Sequence, residues 1–217
     1  MEYSGKVSAI VPAYNEESRI LQTVQTVRQF VDEVLVVDDC SRDRTAEVAR
    51  QAGARVVRQE VNRGYIAAIK RGFQEASHPI VVTIDADGEF PAYKIPELVA
   101  PILRDEADMV QGHRNFIPRP SEKVLTWLAQ RKAPVGDTGT GFRALRTSIA
   151  RKLTLNGACI CGIFSLEVVY QGGRIGEIPV TLQQVDKPRK VAWFHVRQFF
   201  YLLPYLLRRP PRSQVNE

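Results

Sequence analysis

Three short polar segments hold the side chains best suited to chemistry, and each follows a run of apolar β-forming residues. They are Val11-Pro12-Ala13-Tyr14-Asn15-Glu16, Val37-Asp38-Asp39-Cys40-Ser41 and Ile84-Asp85-Ala86-Asp87. Because the carboxyl ends of parallel strands meet at one edge of an open sheet, we expect these segments to share a crevice. Several carboxylates in one crevice are costly unless a divalent cation or a hydrogen-bonding ligand compensates them. The pattern therefore predicts a metal and nucleotide site.

The Asp85-Ala86-Asp87 triplet is the clearest candidate for metal binding. Side chains alternate along an extended segment, so both carboxylates lie on one side of it. Hard oxygen ligands suit magnesium or manganese, which would bridge the phosphates of a bound nucleotide. Glu89 adds a third candidate oxygen ligand. A lone triplet of this kind is also common in solvated turns, so its meaning depends on the other segments.

The other two segments also have structural explanations. Asp38 and Asp39 end an apolar strand, where capping of the next helix and compensation of its dipole would explain one carboxylate but less readily both. Tyr14 offers an aromatic plane on which a base could stack. A turn capped by Asn15 is the commoner meaning of such a segment.

The elements that must position these segments form an alternating pattern of strands and helices. This alternation predicts right-handed βαβ units and a parallel sheet within one α/β domain. The expected strands are residues 7–11, 34–37, 55–57, 80–84, 108–111 and 175–182. The expected helices, of which Ser41 would cap the second, are residues 18–30, 46–51, 65–76, 95–103, 121–131 and 165–171.

Length and composition are those of a globular protein with a basic C-terminal end. The 217 residues suit one α/β domain with or without an appendage, and 44% of them are hydrophobic. The net charge of +6 arises because basic residues gather after Pro179. A basic end favours an anionic partner, among which nucleic acid ranks lowest because no nucleic-acid-binding motif is present.

The cysteines and the hydropathy pattern narrow the cellular setting. Cys40, Cys159 and Cys161 form no pair of CxxC motifs, which fits a reducing compartment. A structural zinc site needs four ligands. The Cys159-Ile160-Cys161 segment supplies only two, and the chain has only three histidines, so no zinc site is predicted. We expect no secretory signal, because the chain begins directly with a strand pattern. No transmembrane helix is expected, because no apolar run reaches eighteen residues.

Taken together, these motifs resemble those of family 2 glycosyltransferases with the GT-A fold, most of all the polyprenyl-phosphate (dolichyl-phosphate) mannose or glucose synthases. The resemblance extends from about Val7 to Pro179 and depends on seven segments in order. They are 11–16, 38–45, 62–64, 85–91, 112–114, 137–143 and 177–180.

The resemblance implies a fold and a reaction. The fold is a Rossmann-like, mostly parallel sheet flanked by helices. The reaction is metal-dependent, inverting transfer of a hexose from a nucleotide-sugar to polyprenyl phosphate, with Mg²⁺ or Mn²⁺ as cofactor and GDP-mannose favoured over UDP-glucose as donor. Two alternatives remain: a saccharide or other hydroxyl acceptor, and a nucleotide-sugar binding module without turnover.

The resemblance also assigns roles to residues. The nucleoside would contact Pro12, Tyr14, Glu16, Val37 and Asp39. The donor diphosphate and the metal would contact Asp85, Ala86, Asp87 and Glu89. The transferring phosphate would contact Arg114, and the acceptor phosphate Arg119 and Lys123. The loop that closes over the donor is shorter than in relatives, and its candidate cations are Lys187, Arg189 and Lys190.

The chemistry agrees with these roles. The departing nucleoside diphosphate gains negative charge, which a divalent ion and an arginine stabilise. A phosphate monoester has a second pKa of ~6, so it can attack the sugar without a general base. Asp137 would serve as a base only toward a hydroxyl acceptor; otherwise it would organise the glycine-rich loop together with Arg143.

The last part of the chain predicts attachment to a membrane surface. Residues 191–207 are rich in aromatic and aliphatic side chains, and Arg208, Arg209 and Arg212 follow. We expect a catalytic domain over residues 1–185. Residues 186–217 would form a basic loop and an interfacial helix on the cytoplasmic face of an anionic bilayer. The alternative is a helix docked on the domain or in a dimer interface.

Overall fold

The computed structural model describes residues 6–117, 119–183 and 194–208, with the side chain of residue 194 left out. The described strands are β1 (Val7–Ala13), β2 (Glu33–Asp38), β3 (Arg55–Arg58), β4 (Ile80–Thr83), β5 (Met109–Arg114), β6 (Arg143–Arg146) and β7 (Ile175–Val180). The described helices are α1 (Glu17–Val27), α2 (Thr45–Gln51), α3 (Tyr65–Glu75), α4 (Ile95–Leu103), α5 (Pro120–Gln130), α6 (Thr147–Ala150), α7 (Ile163–Tyr170) and α8 (Phe194–Leu207).

The strands form a mostly parallel sheet in the order β3-β2-β1-β4-β6-β5-β7. Strand β6 runs antiparallel to both of its neighbours, β4 and β5, whereas the other pairs are parallel. The predicted α/β fold with a mostly parallel sheet is therefore confirmed. Strand β6 was not predicted, because Arg143 and Arg146 at the two ends of this four-residue strand mask its short apolar run.

Strand β1 is buried on both faces, which explains its continuous apolar sequence. Ala9 and Val11 belong to the core that includes α1 and α4, whereas Ile10 packs with α3 in a second core. Gly72 of α3 lies so close to Ile10 that a side chain there would overlap it. The sheet and its two helical layers thus fix the strand ends on which the polar segments stand.

The predicted boundaries hold to within a few residues for most elements, but the cap of α2 was wrong. This helix begins at Thr45, and its N-cap residue is Arg44. Ser41 lies in the preceding loop, where its hydroxyl accepts a hydrogen bond from the Asn15 N–H at 2.9 Å. The prediction failed because the serine serves a neighbouring loop rather than its own helix.

Helix α8 docks on the domain along one side and exposes an apolar surface on the other. His195, Gln198 and Leu202 are buried, and α8 contacts α5 and α7. The exposed side, together with the adjoining part of α5, forms what we call the apolar face. It consists of Val124, Trp127, Val196, Phe199, Phe200, Tyr201 and Leu207. Among the described helices, none has the length and apolar character needed to cross a bilayer.

Candidate functional site

The three polar segments meet in one cleft of about 310 Å³ at the carboxyl ends of β1, β2 and β4. The chain order reverses between β1 and β4, which is the place where open α/β sheets bind ligands. The cleft is lined by Pro12, Ala13, Tyr14, Glu16, Asp39, Tyr65, Ala68, Asp85, Ala86 and Asp87. Seven of the residues predicted to contact the donor are therefore brought together.

Val37 was predicted to contact the nucleoside, but its side chain does not line the cleft. Its side chain is fully buried in β2 and packs in the core with Ile10 and Ile69. Side chains alternate along a strand, and the neighbouring Asp38 lies on the opposite side of β2. The strand around Val37 pairs with β1 and with β3, so Val37 does not line the cleft.

Two backbone turns in the left-handed region shape the end of the cleft beside Tyr14. Asn15 has a φ of 54° and Cys40 a φ of 64°. The Asn15 side-chain oxygen accepts the Arg42 N–H at 2.8 Å, and the Thr45 hydroxyl accepts the Glu16 N–H at 2.8 Å. These bonds join the loop after β1 to the loop after β2. Asn15 thus has a structural role, but its side chain bonds to the neighbouring loop instead of capping its own turn.

Tyr14 and Glu16 emerge from this joined pair of loops. The Tyr14 ring is 41% exposed and lines the cleft, so its face is accessible to a planar ligand. The Glu16 carboxylate forms an ion pair with Arg19 at 2.9 Å. The arrangement offers an aromatic surface beside a carboxylate, which is a suitable contact for a nucleoside.

Asp39 holds the start of α3 rather than the start of α2. Its carboxylate accepts hydrogen bonds from the N–H groups of Arg63 and Gly64, at 2.8 Å and 2.7 Å, and from the Gln59 amide at 2.7 Å. Gly64 precedes α3 with a φ of 84°, a conformation that glycine adopts without strain. A carboxylate is favourable at this helix N-terminus because the dipole is positive there.

Asp85 is held between α3 and the glycine-rich loop. The Tyr65 hydroxyl donates a hydrogen bond to Asp85 at 2.9 Å. Desolvation of the phenol and the charge on Asp85 raise the pKa of Tyr65, so the hydroxyl stays protonated. A side chain at Gly141 would overlap the Asp85 carboxylate, and the Gly141 carbonyl accepts a bond from Thr83 at 2.8 Å. Tyr65 and Gly141 are contacts that the sequence analysis missed.

The donor set of the cleft fits a divalent cation that is shared with a ligand. Asp85 and Asp87 both line the cleft. The Asp87 carboxylate accepts the Glu89 N–H at 3.1 Å, which fixes the turn after β4. In the part of the chain that the structure describes, these carboxylates do not gather within 4.8 Å as a three-ligand group. Magnesium commonly binds through one or two carboxylates plus substrate phosphates, so a cage of protein ligands is not required.

Arg114 lies outside the cleft in an ion network with two carboxylates. Its Nε and Nη2 atoms donate to Asp137 at 2.6 Å and 2.8 Å, and Nη2 also donates to Glu122 at 2.9 Å. Burial opposes the charge on Arg114, but the two carboxylates outweigh it and raise its pKa. Burial likewise opposes ionisation of Asp137, but its bonds with Arg114 lower its pKa. Asp137 is therefore a poor general base.

The remaining predicted cations are spread over different places. Arg119 donates to Glu122 at 3.1 Å and so joins the Arg114 network. Lys123 is exposed on α5. Lys187, Arg189 and Lys190 lie outside the described residues. Glu122, which links Arg114 to Arg119, was not predicted, although its two partners are only eight and three residues before it in the sequence.

Glu177 joins the predicted residues Asp137 and Arg143 in holding the glycine-rich loop, in which the Asp137 carboxylate accepts the Gly139 N–H at 3.1 Å. Arg143 donates to the Thr138 carbonyl at 2.9 Å and stacks over the Phe164 ring. The Glu177 carboxylate accepts the N–H groups of Gly136 and Asp137, at 2.8 Å and 3.2 Å. The loop thus depends on β6 and β7 together.

Comparison with known proteins identifies the sequence family of this architecture. The family described as Glycosyl transferase family 2 matches residues 8–167. Similar curated proteins include a dolichol-phosphate mannosyltransferase from Pyrococcus furiosus, 28% identical over 81% of this chain and 56% of that protein. A dolichyl-phosphate hexose transferase from Haloferax volcanii is 29% identical over 82% of this chain and 83% of that protein. An undecaprenyl-phosphate 4-deoxy-4-formamido-L-arabinose transferase from Edwardsiella ictaluri is 31% identical over 68% of this chain and 51% of that protein.

The chain thus spans about half the length of two of these relatives and most of the third. Among solved structures, glucosyl-3-phosphoglycerate synthase from Mycobacterium tuberculosis superimposes with a TM-score of 0.78 at 23% identity. The superposition covers 96% of this chain and 82% of that one. This likeness confirms the predicted GT-A fold.

Proposed function

Because the chain belongs to glycosyl transferase family 2, we propose that it transfers a hexose from a nucleotide-sugar to a polyprenyl phosphate at a membrane surface. The observation that carries the proposal is the cleft at the β1–β4 junction, where an aromatic ring and the carboxylates of three strand ends meet. A nucleoside diphosphate has a planar base at one end and two phosphates at the other. The cleft has matching groups in the same order.

Within the cleft, Tyr14 and Glu16 would contact the nucleoside, with Pro12 and Asp39 forming the wall beside it. Asp85, Ala86 and Asp87 would face the diphosphate, and Asp87, Asp85 and Glu89 are the proposed metal ligands. Mg²⁺ or Mn²⁺ held there would neutralise the charge that develops on the departing diphosphate.

The acceptor is proposed from the relatives and from the chemistry of Asp137. The names of the three relatives described above each include a polyprenyl phosphate, either dolichyl or undecaprenyl. A hydroxyl acceptor needs a general base, whereas both Asp137 oxygens accept hydrogen bonds from Arg114. A phosphate acceptor carries its own negative charge and needs no base. These observations favour a phosphate nucleophile and inversion at the anomeric carbon.

The cations on the acceptor side would receive that phosphate. Arg119 is one-third exposed at its side chain and pairs with Glu122, so a phosphate could take over its outer hydrogen bonds. Lys123 is one residue beyond Glu122 on α5 and is exposed. Arg114 is engaged by two carboxylates through Nε and Nη2, which leaves Nη1 as its proposed contact with a phosphate.

The donor sugar is proposed as mannose from GDP-mannose, with UDP-glucose as the next candidate. The name of the Pyrococcus relative supports mannose. Among the described residues of the cleft, no contact distinguishes the two bases or the two hexoses, so the choice depends on this relative.

The membrane partner is proposed from the apolar face of α5 and α8. Phe200 and Trp127 are 64% and 53% exposed, which is unusual for large apolar side chains on a water-facing surface. Exposed basic residues accompany them, namely Lys123, Arg131, Arg197 and Arg208. An apolar surface with basic residues is typical of proteins that lie on anionic bilayers. We therefore propose a peripheral protein on the cytoplasmic leaflet, with residues 186–217 as its anchoring part.

A donor screen tests the reaction directly. Labelled GDP-mannose and UDP-glucose are each incubated with a short polyprenyl phosphate and Mg²⁺ or Mn²⁺. The proposal predicts label in an organic-soluble product from one donor. Label in water-soluble products alone would contradict the lipid acceptor, and binding of nucleotide without any product would support the module without turnover.

Liposome flotation tests the membrane contact separately. Phe200→Ser should reduce flotation on anionic vesicles, because it removes the most exposed ring of the α8 face. Leu21→Ser, which removes an exposed apolar side chain on α1, is the matched control and should float as the wild type does. Equal flotation of both variants would contradict the proposed orientation.

A further inference from the structure

A cluster of two thiols and one imidazole lies where α8 meets the body of the domain. Cys159 and Cys161 come from the loop before α7, and His195 comes from the first turn of α8. Their ligand atoms all lie within 4.8 Å of one another, and the Cys161 Sγ is 3.8 Å from the His195 Nε2. The two cysteines alone were too few ligands to predict a zinc site, and nothing in the sequence placed His195 beside them.

We infer that Cys159, Cys161 and His195 form a binding site for a thiophilic divalent cation such as Zn²⁺. Zinc binds sulfur at about 2.3 Å and histidine nitrogen at about 2.0 Å in tetrahedral geometry, so such ligands lie about 3.5 Å apart. The observed sulfur–nitrogen distance of 3.8 Å is close to that separation. Both cysteines would bind as thiolates and release their protons to solvent. Three protein ligands leave the fourth position for a water molecule.

The second ring nitrogen of His195 is already oriented for this role. The Nδ1 atom lies 2.6 Å from the Ser121 hydroxyl of α5. Metal-binding histidines commonly use the nitrogen away from the metal in this way, which fixes the ring and its tautomer. With the proton on Nδ1, the lone pair of Nε2 points toward Cys161.

The cysteine loop is also held rigidly in the geometry that the site needs. Gln198, one turn after His195, accepts the N–H groups of Ala158 and Cys159 at 2.8 Å and 3.1 Å. Its amide donates to the Cys161 carbonyl at 3.0 Å. Gln198 is fully buried, so these bonds fix the loop against α8. A cation would add a further link between the same two elements.

The chemistry of this site differs from that of the donor cleft. The cleft offers carboxylate oxygens, which suit Mg²⁺ and Mn²⁺, whereas thiolates and imidazole suit zinc. The two sites should therefore bind different cations. The site also stands independently of the proposed reaction, because none of its ligands lines the donor cleft.

Cobalt titration of the full chain, kept reduced, tests the inference without an activity assay. Co²⁺ bound to thiolates gives a near-ultraviolet charge-transfer band, which cobalt in an all-oxygen cleft does not. We expect this band to saturate at one cobalt per chain and to disappear when Zn²⁺ is added. Elemental analysis after dialysis should then find one zinc per chain.

Variants assign the band to the cluster. Cys159→Ser, at a partly exposed position, and His195→Gln should each lose or strongly weaken it, with far-ultraviolet circular dichroism confirming that the fold is intact. Ser121→Ala should weaken cobalt binding about 10- to 100-fold, as loss of a supporting hydrogen bond does in other metal sites. Cys40→Ser is the matched control and should bind cobalt as the wild type does, because Cys40 lies in the loop after β2 and is not part of the cluster. A wild-type protein without the band, or a Cys159→Ser variant that keeps it, would overturn the site.

Discussion

The proposed donor cleft differs from the proposed acceptor side, which is the network of Arg114, Arg119, Glu122 and Asp137, in the groups that bond its carboxylates. Asp39 and Asp85 in the cleft accept hydrogen bonds from neutral donors, the N–H groups at the start of α3 and the Tyr65 hydroxyl. Asp137 and Glu122 on the acceptor side instead bind guanidinium groups, and Arg114 joins them at 8% exposure. Neutral donors hold Asp39 in place without cancelling its charge, whereas Glu16, which also lines the cleft, forms an ion pair with the partly exposed Arg19.

This difference separates residues that serve function from residues that serve stability. A carboxylate that lines an open cleft can contact a ligand, although Asp39 also stabilises the start of α3. A buried ion pair is needed for stability, because removal of one partner leaves an uncompensated charge. Variants on the two sides should therefore change different measurements.

The largest effect on stability is expected from the acceptor side. Asp137→Ala leaves the buried Arg114 with Glu122 as its carboxylate partner, and should lower the free energy of unfolding by about 3–5 kcal/mol. Urea denaturation measures this loss. The control is Glu106→Ala, which breaks an equally well-aligned but exposed pair with Arg104 and should leave stability unchanged. Similar results for the two variants would remove the distinction between the two regions.

A variant in the cleft should lose activity but keep its stability. Asp87→Asn is expected to reduce sugar transfer by about 100- to 1000-fold, as loss of a group that stabilises developing charge does. Its free energy of unfolding should change by less than about 0.5 kcal/mol, because the amide oxygen can still accept the Glu89 N–H. Glu97→Gln on α4 is the control for transfer. Retained transfer, or a large loss of stability, would show that Asp87 is structural.

The contact between Gly141 and Asp85 should have smaller effects, on both the free energy of unfolding and donor binding. Gly141→Ala would push the new methyl group into the Asp85 carboxylate, and should cost about 1–3 kcal/mol of stability and weaken donor binding. Gly176→Ala in β7 is the matched control, since its added carbon would meet its nearest neighbour at 3.6 Å. If donor binding is unaffected in Gly141→Ala, the glycine-rich loop does not position Asp85.

The smallest effect concerns a carboxylate at the opposite edge of the sheet. Burial opposes ionisation of Glu33, but bonds from Ser8, Ser77 and Arg55 lower its pKa from 4.5 to about 2. The stabilisation is therefore present above pH 4.5 and is lost as the pH falls toward 2. In Glu33→Gln, the free energy of unfolding should fall by roughly 1–2 kcal/mol less than in the wild type over this pH range. Glu60→Gln, at an exposed position, should behave as the wild type does. Identical curves for both variants would contradict the role of these hydrogen bonds.

The sequence predicted the donor half of the molecule far better than the acceptor half. The cleft residues follow strands whose apolar runs are plain, and parallel topology alone brings their ends together. The partners of Arg114 come from α5 and from the glycine-rich loop, and no local pattern indicates such pairing. The contact of His195 with the two cysteines was not predicted for the same reason, because it depends on the docking of α8 against the domain. Strand β6 was missed because its arginines interrupt the apolar pattern.

The most direct test of the central claim is nucleoside diphosphate binding measured by calorimetry with Mn²⁺ and with a chelator. We predict that GDP or UDP binds the wild type at least about tenfold more tightly with Mn²⁺, because the cation links the phosphates to Asp85 and Asp87. Asp87→Asn should lose this dependence on metal. Equal affinity with and without Mn²⁺ in the wild type, or an undiminished metal effect in Asp87→Asn, would contradict the proposal that these strand ends bind a pyrophosphate through a shared cation.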